Sequence, residues 1–435
     1  MLHVNDVATH KPSKSGKSRV KISTDLRNKI LFTLFIIVAY RLGAYLPVPG
    51  IPFTNLMDAY QGEDVGLAAV GALNMFSGGA LSRMSFFALG TMPYITAQII
   101  MQMLGTVIPS LGEFSRDEAG QRKITQYTRY LTIAIATVNS IAYLFLFRSW
   151  GINLVASGAP YIVSVVLIIA TMVVGAVVVM WMGELVTQYG VGNGMSILIA
   201  VNILSGIPSS LISTARVGTS GIIIDVVTLL IVAVLIPIIV KLERGQRRIP
   251  ITYSKQVKGN AVIGGGSTYL PIKVNMAGVI PIIFASTVMY IPAQLAVFFP
   301  HVAWLQHLSY LVTSGWLNWV LSFILIIFFS YFYSNIVFDA DQTADQIKRS
   351  GGFVPGFRPG KVTADYIRSV IRNITPPGAV FMACLSVIPT IAFSLYGGSI
   401  INTMGGTSVL ILVGVVIDTM AAIESQIHDY DGLFE

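Results

Sequence analysis

Charge is what this chain has least of. Lys, Arg, Asp and Glu make up 11% of its 435 residues, well under the quarter that is usual for a soluble domain. That scarcity excludes an ordinary solvated globular surface. Mean hydropathy is +0.73 and 54% of the residues are hydrophobic, so the chain reads as an integral membrane protein. Cysteine is nearly absent. A lone Cys384 inside an apolar run rules out an internal disulfide and reads as a small packed hydrophobe. His3, His10, His301, His307 and His428 are scattered through tails and loops, a pattern that offers no metal site. The glycine-rich stretch 189–196 (YGVGNGMS) lacks a Lys-Ser/Thr clamp and a preceding strand, so it is a tight loop entering a helix rather than a nucleotide site. Gly264, Gly265 and Gly266 read as linker. No catalytic constellation survives inspection and no cofactor is expected.

What is there is a series of apolar runs rich in Leu, Ile and Val: 30–46, 85–104, 127–147, 161–182, 195–214, 221–240, 276–298, 317–338, 377–396 and 405–423. They lack the short period-two pattern of barrel strands, which makes the expected fold all-α and polytopic. The first run follows a basic segment, 1–29, as in a signal peptide. It ends in Pro47-Val48-Pro49-Gly50 without a small-residue cleavage site, so it reads as an uncleaved first span. Ten spans put both termini on one side. With the N-terminus inside, 24 of the 28 Lys and Arg fall on the cytoplasmic side, the asymmetry that orients membrane proteins. Spans one to five (30–214) and six to ten (215–423) then form two halves of opposite topology around a central path. An acidic tail, 424–435, closes the chain.

One stretch, 67–103, is more than an anchor. A half-helix of about eleven residues, 66–76, could reach barely half-way across a ~30 Å hydrocarbon core. Ser77, Gly78 and Gly79 break it, Arg83 follows, and a span from Ser85 to about Leu104 is interrupted by Pro93, between Thr91 and Ile95. Irregular backbone at membrane depth is tolerated where it is buried in protein or lines a water-filled cavity. A conduit is implied.

Two loops on the cytoplasmic side, 241–274 and 338–375, are longer than a helix connection needs. They are basic with interspersed aromatics, and serve either as topology determinants or as a docking surface for RNA, an acidic protein face or anionic lipid. Glu184, Asp225 and Asp418 sit towards span ends, where water or headgroups can solvate them. Thr96, Gln98 and Gln102 in span two and Asn275 at the opening of span seven, beside Pro281 and Pro292, are either polar glue between helices or part of a separable seam. An inverted-repeat transporter of a small solute is the rival class. It calls for a charged site at mid-membrane, which the sequence does not offer.

Eight motifs in order then identify a resemblance: PVPGI (47–51), NMFSGGALSRMSFFALGTMPYITAQIIMQ (74–102), RKITQYTRY (122–130), GVGNGMSI (190–197), ERGQRRIP (243–250), LPIKVNMAGVIPIIFA (270–285), FVPGFRPG (353–360) and GGTSVLILVGV (405–415). Together they resemble the SecY family, central subunits of the bacterial Sec protein-conducting channel, from about Arg27 to the last span.

The resemblance implies a passive, non-enzymatic channel for unfolded preproteins in the bacterial plasma membrane. It also implies that the half-helix is a plug, with Leu67, Val70, Leu73, Asn74 and Phe76 on it. A pore ring would be formed by Thr91, Ile95, Met195, Ile199, Ile283 and Ile411. Thr91 departs from the family's aliphatic pattern and Met195 from its usual Ile. Thr96, Gln98 and Asn275 would be the polar latch of a lateral gate between spans two/three and seven/eight, through which signal sequences and transmembrane segments reach lipid. Arg247, Arg248, Lys255 and Arg358 would receive the SecA ATPase or the ribosome, with ribosomal RNA as a contact, while SecE and SecG are the expected companion subunits.

Overall fold

The computed structural model describes residues 24–49, 77–81, 83–108, 118–149, 160–215, 219–253, 256–258, 261–263, 267–299, 302–314, 316–396 and 405–431. The plug residues Leu67, Val70, Leu73, Asn74 and Phe76, and the loop residue Lys255, lie outside them. The fold is all-α in its body. Twelve helices are described: α1 (Thr24–Gly43), α2 (Met92–Val107), α3 (Glu118–Ser149), α4 (Tyr161–Tyr189), α5 (Gly194–Ala215), α6 (Thr219–Glu243), α7 (Ile280–Phe298), α8 (Ala303–Ser314), α9 (Trp316–Val337), α10 (Ala340–Arg349), α11 (Lys361–Tyr396) and α12 (Gly406–Asp431). The ten apolar runs fall on α1–α7, α9, α11 and α12. In hydrocarbon every backbone N–H and C=O must be bonded within the segment, and a helix achieves that for an apolar run of any sequence.

The outward faces fit lipid rather than water. On α4, Ile162, Val163 and Val166 are 75%, 60% and 59% exposed, and on α6 the exposed positions include Ile222, Ile223, Leu230 and Val234. Apolar area of that extent does not face solvent on a monomer. Asp225, on the same α6, is instead buried, and its Oδ1 has no partner among the described residues. The expectation that headgroups solvate it is therefore corrected.

Span two differs from its sequence reading. Residues 83–91 form turns, with Met84 at φ 42° and Gly90 at φ 55°, and the helix begins only at Met92. Pro93 sits in the first turn, where its missing N–H costs nothing, so it starts the helix rather than interrupting it. The same holds at α7, where Pro281 lies in the first turn and Asn275 stands in the turns that precede the helix.

The two long loops contain structure that helical periodicity does not reveal. β1 (Gln246–Tyr253) pairs antiparallel with β4 (Ser267–Lys273), in register from Gln246 opposite Lys273 to Thr252 opposite Ser267. β5 (Gly352–Phe353), from the second loop, pairs with the far end of β1 through Thr252 and Tyr253. A hairpin of β2 (Gln256–Lys258) and β3 (Ala261–Ile263) lies between β1 and β4. Under the sheet, Ile249, Ile251 and Ile272 pack with Ala340 and Ile347 of α10 and with Ile367 and Ile371 of α11. α10 is capped by Asp339, whose carboxylate accepts from the Asp341 and Gln342 N–H groups at 3.0 and 3.1 Å. The two loops are thus one module, and α11 starts well before its apolar run because its first turns belong to that module.

Candidate functional site

Among the proposed ring residues, four come together. Ile95 of α2, Ile199 of α5, Ile283 of α7 and Ile411 of α12 are each 4% exposed or less and share one buried apolar cluster. Their helices meet there, with α7 packed on α2 and α12, and α12 on α5. Met195 lies one turn from Ile199 but packs in a neighbouring cluster with Tyr40, Phe87, Val179 and Leu198, its thioether against Gly183. It joins α5 to α1 and α4. Thr91 is fully buried at the N-terminus of α2, one turn before Ile95, whose N–H bonds to the Thr91 carbonyl at 3.1 Å. Its hydroxyl has no hydrogen-bond partner among the described residues.

The glycine break is held from α1 and α5. Gly78, at φ 63°, accepts at its carbonyl from Arg41 Nη1 at 3.3 Å. A side chain there would meet Asn202 Oδ1 at 2.7 Å, so glycine is required twice over. Asn202 is itself anchored to the Tyr40 hydroxyl at 2.8 Å. Beside them, the Arg83 and Arg41 guanidinium groups lie 4.4 and 5.7 Å from the Tyr45 ring.

The polar residues expected to form a latch do not bond to one another. Thr96 donates its hydroxyl to the Met92 carbonyl of its own helix at 3.0 Å. Gln98 is half-buried on α2. Asn275 faces elsewhere: its Nδ2 donates to Glu243 Oε1 at 2.7 Å and to the Gly278 carbonyl at 3.0 Å. α2 and α3 both pack directly against α7. Beside Asn275 is a cavity of about 260 Å³, lined by Glu243, Lys273, Asp418, Asn193 and Tyr333 among others. Glu243 was not apparent as a site residue from the sequence, because a single Glu at the end of an apolar run gives no sign of its partner. Glu184 also acquires one. Arg129 of α3 donates from Nε and Nη2 to both its carboxylate oxygens, at 2.9 and 2.8 Å.

On the sheet module, Arg247 and Arg248 of β1 are exposed, and the Arg248 guanidinium lies 4.7 Å from the Tyr269 ring on β4. The exposed turn 355–359 carries Arg358 and is braced by Phe357 stacked on Tyr366 at 4.1 Å. Because β5 and β1 pair, both basic segments belong to one surface-bearing unit.

Comparison with known proteins agrees with this architecture. Residues 85–420 match the SecY family. The chain is 41% identical over 433 residues to the protein translocase subunit SecY of Streptomyces coelicolor, covering 94% of this chain and 97% of that one. It is 42% identical to that of Mycobacterium bovis, covering 95% and 98%. Among solved structures, one described as a protein conducting channel gives a TM-score of 0.63 at 17% identity, covering 93% of both chains. Sec61 in the canine ribosome-channel complex gives 0.60 at 16% identity, again over 93% of both. By fold this is a polytopic membrane channel protein of that class. The chain belongs to the SecY family.

Proposed function

We propose that this chain is the pore subunit through which unfolded preproteins cross the bacterial plasma membrane and from which transmembrane segments pass sideways into lipid. Family membership supports the translocation role. The observation that carries the mechanism is the convergence of Ile95, Ile199, Ile283 and Ile411, from four different helices, on one buried apolar cluster. Aliphatic side chains at a neck exclude water and ions by dewetting, and they can move aside for a polypeptide of any sequence. Thr91 and Met195 flank this neck, and the segment 66–76 is the plug.

The basic asymmetry of the loops supports termini on the cytoplasmic side, with the sheet module there as the docking surface. SecA or a translating ribosome supplies the driving force through Arg247, Arg248, Lys255 and Arg358, with SecE and SecG as companion subunits. The Sec61 relative was solved in a ribosome-channel complex, and an Ssh1 complex with a TM-score of 0.59 was solved bound to the yeast 80S ribosome. Partner binding opens the seam by differential affinity for the open state, the only way a ligand can shift such an equilibrium. Proteoliposomes holding this chain with SecE should import a preprotein when SecA and ATP are added. Proton-coupled uptake of a small solute without preprotein import would instead select the transporter class.

A further inference from the structure

Helix α8 has no counterpart among the apolar runs and no role in the pore. It is twelve residues long (AWLQHLSYLVTS), roughly 18 Å at 1.5 Å per residue and too short to cross a membrane. Chain order places it at the end of the bundle opposite the sheet, between the C-terminus of α7 and the N-terminus of α9, and it packs on both. One face is buried through Leu305 and Val312. Gln306 ties it to α7 by donating from Nε2 to the Ala296 carbonyl at 2.7 Å. A second face is left largely uncovered among the described residues, with Leu311 partly buried at its edge. Trp304, Leu308 and Leu311, spaced i, i+4 and i+7, form a stripe in which Trp304 is 68% and Leu308 36% exposed. The helix carries no Asp, Glu, Lys or Arg.

The two spans on which α8 packs also carry outward-facing apolar residues. On α7 the exposed positions are Ile291 and Leu295, running on to Phe299, and on α9 they are Trp316, Val320, Ile324 and Phe328. Those spans end at α8, and exposed Trp316 at the start of α9 is the residue type that a membrane-water boundary favours. We propose that α8 is an interfacial helix lying in the plane of the membrane surface opposite the sheet, with Trp304, Leu308 and Leu311 in contact with lipid at the headgroup-acyl boundary. Its Tyr310, two residues from Leu308 and so on the opposite side of the helix, then faces water. The Gln306 bond holds α8 to the end of α7, and packing holds it to the start of α9.

The test uses the complete complex in vesicles, with Trp304 retained and Trp150, Trp181, Trp316 and Trp319 replaced by Phe. Trp304 emission should lie to the blue of tryptophan in water. It should lose more intensity to phosphatidylcholine brominated near the headgroup than to lipid brominated near the chain ends. Quenching by aqueous iodide alone, stronger quenching by deep bromines, or insensitivity to all three would each overturn the proposal, the last by showing that protein covers the face. A second readout places a nitroxide at Leu308→Cys or Tyr310→Cys in a Cys384→Ser background. Oxygen should relax the label at 308 more strongly, and an aqueous nickel chelate the label at 310. The reverse order sinks the assignment.

Discussion

Asn275 donates from Nδ2 to Glu243 Oε1 at 2.7 Å, and both residues are more than nine-tenths buried. The bond ties the turn leading into α7 to the last residue of α6. Both segments run directly into the sheet module, where the Val274 N–H also bonds to the Gly245 carbonyl at 2.8 Å. On one side this turn is closely walled. A Cβ on Gly378 of α11 would stand 2.8 Å from the Val274 carbonyl oxygen, and one on Gly414 of α12 would clash with Val279. On the other side lies the cavity of about 260 Å³. The entry to α7 is therefore fixed where the module attaches and has free volume beside it.

That arrangement predicts unequal effects of two substitutions. Asn275→Ala leaves the Glu243 carboxyl buried without this donor and should cost about 1–3 kcal/mol, the usual penalty for orphaning a buried polar group. Glu243→Gln keeps an acceptor oxygen in place and should cost less. Thermal unfolding of the two purified variants in detergent measures the difference. Equal losses would mean that the bond contributes nothing specific.

If the four isoleucines form the neck proposed above, it should be sensitive to polarity and tolerant of shape. Replacing Ile411, which is fully buried, with Asn should let water into the constriction and raise the ion conductance of the resting complex in planar bilayers. Ile411→Leu should leave conductance low. A dry seal that survives Ile411→Asn would place the barrier elsewhere.

Thr91 carries a prediction of the opposite sign. Its hydroxyl is buried and has no partner among the described residues, so Thr91→Val removes a desolvated polar group at nearly constant shape. Stability should rise by roughly 1 kcal/mol, within the range for an unmade buried hydrogen bond, and resting conductance should not increase. A destabilised Thr91→Val would show that the hydroxyl has a partner in the complete channel.

The body of the fold was legible because membrane physics leaves few options. Ten apolar runs became ten helices, and Ile95, Ile199, Ile283 and Ile411, far apart in sequence, fall in one buried apolar cluster. Two kinds of information were not legible. Met195 and Ile199 share a face by spacing, yet the notch at Gly183 admits the Met195 thioether, which packs towards α1 and α4. The sheet module is built from strands as short as two residues joining distant loops. The alternation of Ile249 and Ile251 in QRRIPITY is a period-two signal, but it covers only a few residues and names no partner strand. The partners of Asn275, Glu243 and the Gly278 carbonyl, were illegible for a related reason: an Asn beside an apolar run advertises a hydrogen bond but not its direction.

Arg129 and Glu184 bind α3 to α4 by a two-pronged ion pair. Glu184 has 14% of its side chain exposed but Arg129 has 45%, so solvent screens the pair. A double-mutant cycle with Arg129→Gln and Glu184→Gln should return a coupling of about 1 kcal/mol rather than the several expected of a dry pair. Raising the salt concentration should shrink it further. A coupling that is large and indifferent to salt would show that the pair is shielded in the membrane.

The turn 355–359 offers the sharpest separation of charge from geometry. Arg358 is exposed, and its backbone is pinned by the Thr363 hydroxyl donating to the Arg358 carbonyl at 2.8 Å. The turn is further braced by Phe357 on Tyr366. If the turn receives an acidic partner, Arg358→Glu should abolish SecA-driven import, and Arg358→Lys should retain part of it, since charge survives while the planar guanidinium fork is lost. Phe357→Ala keeps every charge but removes the brace, so it should weaken import and leave the thermal stability of the membrane body unchanged. Import rates over a salt series distinguish the two mechanisms. Loss through Arg358, read on Arg358→Gln, flattens the salt dependence, whereas loss through Phe357 lowers the rate at every salt concentration alike. Should all four variants import at the parental rate, the turn's basic residue would serve only to orient the chain in the membrane.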